Sequence, residues 1–251
     1  MKIKTGGTRM YILGIGIALA ITVLAAGTLH EVGYVISDFK IVKSGTLIIE
    51  NARPFSNVFI DNKRIGQIDE TGTTEFTGIK PGARTVLIGN ATVWPWVLDF
   101  TILPDTTVSL TPLQVNQESD GAVLRDASDP IRQRAITEFK NYREPTRMQP
   151  LEREGVRVWV EGVTIFVQKN DEVRQVFTSS NPLREVSWYG DRSDAIIVAS
   201  LNNVFALDIR KSSVQNFLPI YTGSAPEAVS DPIRSSKIFV KDADQYFEVS
   251  I

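Results

Sequence analysis

The chain has 251 residues, a formal net charge of −2, 43% hydrophobic and 22% charged residues, a composition that supports one large or two modest folded cores. It has no cysteine and one histidine, His30, which excludes disulfide scaffolds, thiolate or multi-histidine metal sites, and a cysteine nucleophile. A mildly acidic chain repels phosphate backbones, so we expect no nucleic-acid partner.

A long uncharged segment, Met10–His30, follows a basic stub of residues 1–9. About 20 helical residues at ~1.5 Å each match the ~30 Å hydrocarbon core of a bilayer. The run is longer than the ~7–15 apolar residues of a signal peptide, although the small residues Ala25–Gly27 leave cleavage as the alternative. Because the stub is basic, we predict a cytoplasmic N-terminus, a single transmembrane helix in the cell membrane and extracytoplasmic C-terminal domains.

Residues 43–113 alternate between apolar and polar side chains with a period of two, which predicts a small antiparallel β-sandwich. Asn62 lies between two alternating runs, at a turn position that favours a positive φ. The apolar stripes are Leu47 and Ile49; Val58 and Ile60; Val86 and Ile88; and Trp96, Leu98, Phe100 and Ile102.

The segments "PFSNVFIDNKRIG" and "GIKPGARTVLIGN" resemble the PEGA domain family. Ser56-Asn57, Asn62 and Ile68-Asp69 depart from the family pattern. The resemblance implies a noncatalytic β-module of an envelope or surface protein, and it carries no binding residues to this chain. The positions that match the pattern are Pro54, Val58, Ile60, Asp61, Gly66, Pro81 and Gly82.

Trp94 and Trp96, separated by Pro95, are the candidates for contact with a protein partner or a glycan, since paired aromatic rings offer stacking surfaces. The alternative is that one tryptophan fills the sandwich core and that Pro95 marks a strand edge or a bulge.

A polar segment, residues 114–129, is predicted to be a linker, and residues 130–143 are predicted to form an amphipathic helix. Asp129 is suited to the N-cap and Pro130 to the first helical position. The apolar face of this helix is expected to pack on its own domain, with a partner protein as the alternative.

Residues 156–251 contain a degenerate repeat, in which Ser187 aligns with Ser230 and Phe205 with Phe247, about 40 residues apart. This period with short strands resembles the blades of WD40 and TolB-like propellers. Two or three blades cannot close a ring that needs about four. We therefore predict a partial propeller, with a compact β-sheet stack or a sandwich as the alternatives. The open edges of a partial propeller would be covered by the helix, the sandwich of residues 43–113 or a second copy of the chain, so self-association is an open alternative.

No residue pattern indicates catalysis, a cofactor or a metal centre. Asp242 and Asp244 could hold calcium weakly, but a solvated turn also explains them. The sequence thus predicts an all-β protein, not an enzyme, with a noncatalytic binding or scaffolding role in the cell envelope. The alternatives are a sensor or assembly subunit of a membrane complex, and a glycan hydrolase with two carboxylates beside Trp94 or Trp96.

Overall fold

The computed structural model describes residues 15–17, 19–20, 27–28, 33–37, 40–118 and 120–251, and most of them lie in β-strands. Of the predicted Met10–His30 span, the few described residues are helical, and the others lie outside the described residues. Within the described ranges no helix is long and apolar enough to cross a bilayer.

The first part of the chain forms a short hairpin and then two sheets. The hairpin consists of β1 (Tyr34–Ser37) and β2 (Lys40–Lys43). The two sheets have the orders β6–β3–β9 and β5–β4–β7–β8, and we call them together the sandwich. Its strands are β3 (Gly45–Ile49), β4 (Asn57–Ile60), β5 (Lys63–Gln67), β6 (Thr74–Ile79), β7 (Gly82–Gly89), β8 (Trp96–Ile102) and β9 (Thr107–Leu110).

The sandwich confirms the predicted alternation. Along β3 and β8 every second side chain is buried, including Leu47, Ile49 and Trp96. Asp61 and Asn62 both have positive φ, 49° and 65°, as the two central residues of a type I′ hairpin turn require. The fully antiparallel prediction was wrong at one pair, because β9 enters the three-stranded sheet from β8 of the other sheet and so pairs parallel to β3.

The second part of the chain forms three four-stranded antiparallel sheets, which we name S1, S2 and S3 and together call the stack. S1 contains β11 (Leu151–Arg153), β12 (Val156–Glu161), β13 (Thr164–Lys169) and β14 (Glu172–Thr178). S2 contains β15 (Leu183–Trp188), β16 (Ala195–Ser200), β17 (Asn203–Asp208) and β18 (Phe217–Thr222). S3 contains β19 (Glu227–Ser230), β20 (Lys237–Asp242), β21 (Gln245–Ser250) and β10 (Gly121–Val123).

The fourth strand of S3 comes from a distant part of the chain. β10 pairs with β21, with Gly121 opposite Val249 and Val123 opposite Phe247. The predicted linker 114–129 therefore contains an edge strand. The polar sequence of the linker gave no sign of this strand, because an edge strand with solvent on both faces has no apolar stripe.

The three sheets pack face to face. S1 and S2 share one apolar core, whose members include Val158, Val198 and Leu207. The other face of S2 packs on S3 through residues such as Ile197 and Ile238, and this core continues into the sandwich interior. The sandwich and the stack are thus joined by buried apolar side chains.

Helix α1 (Pro130–Asn141) covers the remaining face of S3, which confirms that it packs on its own domain. Asp129 is the N-cap, and its carboxylate accepts a hydrogen bond of 2.8 Å from the Ile131 N–H. Ala135 is fully buried, and Arg134 pairs with the buried carboxylate of Asp231 at 3.0 Å. The helix covers a sheet face that would otherwise expose apolar side chains.

The free edge of β8 is closed by the loop between β17 and β18. The buried Asn216 side chain accepts from the Val97 N–H at 2.9 Å and donates to the Val97 carbonyl at 2.6 Å. Asp99 accepts hydrogen bonds from Ser213 and Thr85, and these bonds lower its pKa to about 2. The loop therefore supplies the backbone-like contacts that a further strand would make.

We expect Asn216→Ala to lower the free energy of unfolding by about 1–3 kcal/mol, because it leaves the partly buried Val97 N–H and carbonyl without their side-chain partner. Asn203→Ala, at an exposed asparagine, is the matched control and should change stability by less than about 0.5 kcal/mol. Chemical denaturation of both variants measures the difference, and equal effects would contradict the role of Asn216.

Candidate binding cleft

Trp96 lies at the contact between the sandwich and the stack. Its side chain has no exposed surface, and its indole N–H donates to Asp208 Oδ2 at 2.7 Å. The Arg210 guanidinium lies 4.8 Å from the centre of the ring. The prediction that Trp96 contacts a glycan or partner is therefore wrong, because the stack covers the ring, and the alternative of a core tryptophan describes it.

Charged side chains around Trp96 bind each other and the chain that leaves the sandwich. Asp194 pairs with both Arg192 and Arg210, at 2.8 and 3.1 Å. The same two arginines donate to the carbonyls of Thr111 and Pro112 at 2.9 Å. The carboxylates near Trp96 are thus occupied by arginines, and the buried Asp208 also receives the Trp96 N–H.

Trp94 is half-buried beside a cavity of about 320 Å³ at the outer strand of S2. No carboxylate lines this cavity, so the pair of acids expected for a hydrolase beside Trp94 is not observed there. The buried Trp94 Nε1 has no hydrogen-bond partner within the described ranges. Contact between Trp94 and a partner stays a prediction. The lining residues are Trp94, Gln117, Pro219, Ile220, Tyr221 and Thr222.

A larger cavity opens between S1 and S2, with a volume of about 480 Å³. Three rings form its floor: Phe205 stacks on Phe217 with ring centres 3.9 Å apart and planes at 20°, and Phe177 lies 5.1–5.6 Å from both. Phe205 is buried, whereas Phe217 is 45% exposed. We call this end of the cleft the aromatic mouth.

β-Bulges lie in both sheets next to the aromatic mouth. In S1 the register between β13 and β14 shifts between Ile165 and Phe166. In S2 the register between β17 and β18 shifts between Val204 and Phe205, opposite Pro219. A bulge bends its strand and changes the direction of a side chain, and a proline suits an edge strand because it has no N–H. Phe217 and Pro219 therefore remain exposed on the edge strand of S2.

The rim of the aromatic mouth carries neutral polar groups and no charged side chain. Ser179 and Ser200 are joined by a hydrogen bond of 3.2 Å between their hydroxyl groups. The other polar residues at the rim are Thr178, Ser180, Asn181 and Asn203, and the exposed Leu201 completes it. An apolar floor with a neutral hydrogen-bonding rim suits an uncharged ligand, and the volume lies within the ~300–1,000 Å³ of small-molecule sites.

The opposite end of the same cleft is charged. It forms a cavity of about 290 Å³ whose lining includes Lys169, Glu172, Arg174, Asp194 and Lys211. Lys211 and Glu172 form an ion pair at 2.8 Å. Burial lowers the pKa of Arg174. With Arg210 the lining carries four basic and two acidic side chains, so this end of the cleft has a net positive charge.

Glu185 is a buried acid between S2 and S3, only 8% exposed. Burial, followed by the negative charge of Glu227, raises its pKa to about 8, against the opposing effects of the Ala228 N–H, Arg184 and Lys241. Its Oε2 has no hydrogen-bond partner in the described part of the chain. Lys241 instead binds Glu227 at 3.0 Å. Glu185 is thus held in its neutral form near pH 7.

The described ranges contain no group of three or more side chains suited to hold a metal ion. Asp242, one of the two predicted weak calcium ligands, accepts hydrogen bonds from the Ser224 and Ala225 N–H groups and from the Tyr221 hydroxyl. These contacts make Asp242 a cap of the loop before β19. These contacts fit the alternative interpretation of Asp242 as a turn residue.

The aromatic mouth was missed by the sequence analysis. Phe177 and Phe205 lie on strands, where an aromatic residue is typical of a core, and the three rings come from three different strands. One signal was present: Pro219 inside the apolar run Phe217–Tyr221 indicates an edge strand, and an aromatic residue on such an edge can remain exposed.

We expect opposite outcomes for the two tryptophans. Trp96→Phe removes a hydrogen bond to a buried carboxylate and should lower the free energy of unfolding by about 1–3 kcal/mol. Trp94→Phe removes a buried N–H that has no partner, so stability should stay within about 0.5 kcal/mol or rise. Denaturant titration of both variants tests this prediction. An equal loss of stability in both would show that the hydrogen bond from Trp96 to Asp208 does not stabilise the protein.

We expect Glu185→Gln to stabilise the protein at high pH. Since the pKa of Glu185 is raised in the folded state, the wild type loses stability as the pH rises from about 4.5 to about 8 and then levels off. The amide does not ionise, so the melting temperature of the variant relative to wild type should increase from pH 5 to pH 9. A difference in melting temperature between the two proteins that does not vary with pH would contradict the raised pKa of Glu185.

No protein-family model matches the chain, and no curated protein matches it significantly. The PEGA resemblance and the propeller resemblance therefore stay predictions.

Proposed function

We propose that this protein is a noncatalytic binding protein of the cell envelope. In this proposal the Met10–His30 segment spans the cell membrane, and the sandwich and the stack lie on the extracytoplasmic side. The sandwich is a PEGA-like module and the stack a three-bladed, propeller-like arc. The aromatic mouth between S1 and S2 presents its rings to an uncharged ligand, for which we favour a neutral glycan over a protein segment.

The single observation that carries the proposal is the uncharged aromatic floor, in which Phe217 is 45% exposed, Phe177 is partly exposed and the buried Phe205 stacks on Phe217. A large ring on the surface costs free energy in water and supplies a rigid stacking surface. The C–H face of a sugar packs on such a ring, and its hydroxyl groups then need donors and acceptors. The asparagine and serine side chains at the rim provide both kinds of group.

The edge strands at this cleft favour side-chain recognition over strand addition. Pro219 lies in the outer strand of S2 and has no N–H to donate. In the outer strand of S1, the Val176 carbonyl already accepts a hydrogen bond from Gln215. An extended peptide would lack a backbone partner at each of these two positions, which supports the choice of a glycan.

We expect a photo-crosslinking residue at Leu201 to capture the ligand in native membranes, because Leu201 lies at the rim and is more than half exposed. The same residue at Val173, which is exposed on the outer strand of S1 but does not line the aromatic mouth, is the control. Mass spectrometry of the adducts identifies the chemical class of the ligand.

Adding Phe217→Ala to the Leu201 crosslinker should reduce capture about tenfold, since losing roughly 1.4 kcal/mol of aromatic contact corresponds to that factor. Glycan adducts that depend on Phe217 would support the proposal in full. Protein adducts that depend on Phe217 would keep the binding role and change the ligand class. Equal capture from Leu201 and Val173 would overturn the binding role of the cleft.

A further inference from the structure

The β1–β2 hairpin exposes an aliphatic pair that nothing else in the described chain covers. Ile36 and Ile41 face each other across the two strands and are 63% and 58% exposed. Tyr34 and Lys43 pair two residues away and so share their face. An isolated two-stranded hairpin is marginally stable in water, so this face requires a partner.

A third exposed aliphatic residue lies at the base of the hairpin. Leu103, in the turn between β8 and β9, is 60% exposed. That turn is joined to the hairpin, because Lys43 pairs with Asp105 at 2.7 Å and the Asp105 N–H donates to the Ser44 carbonyl at 3.0 Å. Ile36, Ile41 and Leu103 thus mark one end of the sandwich, which we call the aliphatic end.

The chain geometry places the aliphatic end close to the proposed membrane span. Three residues lie between His30 and Tyr34, so four steps of at most ~3.5 Å per residue place the start of β1 within ~14 Å of the end of the span. The headgroup layer on each side of the hydrocarbon core is itself ~5–8 Å thick. A hairpin at this distance has lipid as its nearest large surface.

The chemistry of the aliphatic end also fits lipid better than a second copy of the chain. Tyrosine and lysine with a few exposed aliphatic residues are typical of side chains at the bilayer interface. Three aliphatic side chains bury far less than the ~1,200 Å² of a stable protein interface. Three aliphatic side chains are enough to orient the sandwich when the proposed transmembrane helix already holds the chain at the bilayer.

We propose that the aliphatic end rests in the headgroup region of the extracytoplasmic leaflet, so that the sandwich is seated on the membrane. This inference rests on the proposed membrane anchor and goes beyond it, because a spanning helix alone would leave the sandwich free to tilt. Lipid contact by Ile36, Ile41 and Leu103 fixes which end of the sandwich faces the bilayer.

The absence of cysteine from the chain allows the test to use single-cysteine variants of the full-length protein. Ile41→Cys and Leu103→Cys are labelled with an environment-sensitive fluorophore and reconstituted in phosphatidylcholine vesicles, with and without a lipid-attached quencher. Leu19→Cys reports on the proposed span. Ile233→Cys, at an aliphatic residue in the loop between β19 and β20 that is 71% exposed, is the matched control.

We expect the labels at positions 19, 41 and 103 to lose most of their fluorescence to the lipid quencher and the label at position 233 to lose little. Quenching at 19 without quenching at 41 and 103 would overturn the inference and leave the anchor intact. No quenching at 19 would overturn both. A blue shift at 41 and 103 that grows with protein density, without lipid quenching, would assign the aliphatic end to a second copy and overturn the inference.

Discussion

The contact of Trp96 with Asp208 and Arg210 is the constraint on which the arrangement of the whole molecule depends. It joins residues 112 positions apart in the chain, and it places a buried carboxylate against a fully buried ring. A buried charge is costly unless it is paired and hydrogen-bonded. Within the stack, Arg210 pairs with Asp208 and its backbone N–H donates to the same carboxylate, and Trp96 from the sandwich adds a further hydrogen bond. The two units are therefore held in one relative orientation by this hydrogen bond as well as by their shared apolar core.

The contact between the sandwich and the stack determines which faces of the stack stay uncovered by other parts of the protein. S2 is covered on one face by S1 and on the other by S3 and the sandwich core, and S3 is covered by helix α1. The outward face of S1 is different, because Arg157 bonds Glu152 and Gln168, and Trp159 donates to Glu161. Polar side chains that already bond each other gain little from a further sheet. Trp159 on this face is only 3% exposed and stacks on Phe166, whereas Phe217 at the aromatic mouth leaves 45% of its surface exposed.

The sequence predicts those features that depend on neighbouring residues. The stripes of β3 and β8, the turn at Asp61-Asn62 and the cap of helix α1 at Asp129 each follow from periodicity or local backbone chemistry. The parallel pairing of β3 with β9, the place of β10 in S3 and the burial of Trp96 depend on which distant segments meet. Propensity and spacing do not contain that information. The aromatic mouth falls in the same category, because its rings belong to β14, β17 and β18.

Contacts between distant segments would also determine the position of a ligand bound at the aromatic mouth. Within the described chain, a series of contacts connects the aliphatic end to the aromatic mouth. The hairpin is joined to the sandwich by the backbone and side-chain contacts of Ser44, Lys43 and Asp105. The sandwich is joined to S2 by the Trp96 contact and by the Asn216 bonds to Val97. An isolated exposed ion pair such as Lys43–Asp105 contributes at most about 1 kcal/mol, so the hairpin is the weaker joint. If the hairpin is seated in the headgroup layer, lipid contact strengthens the joint that the protein itself leaves weak. The orientation of the cleft relative to the membrane is then set along the whole path from bilayer to ligand.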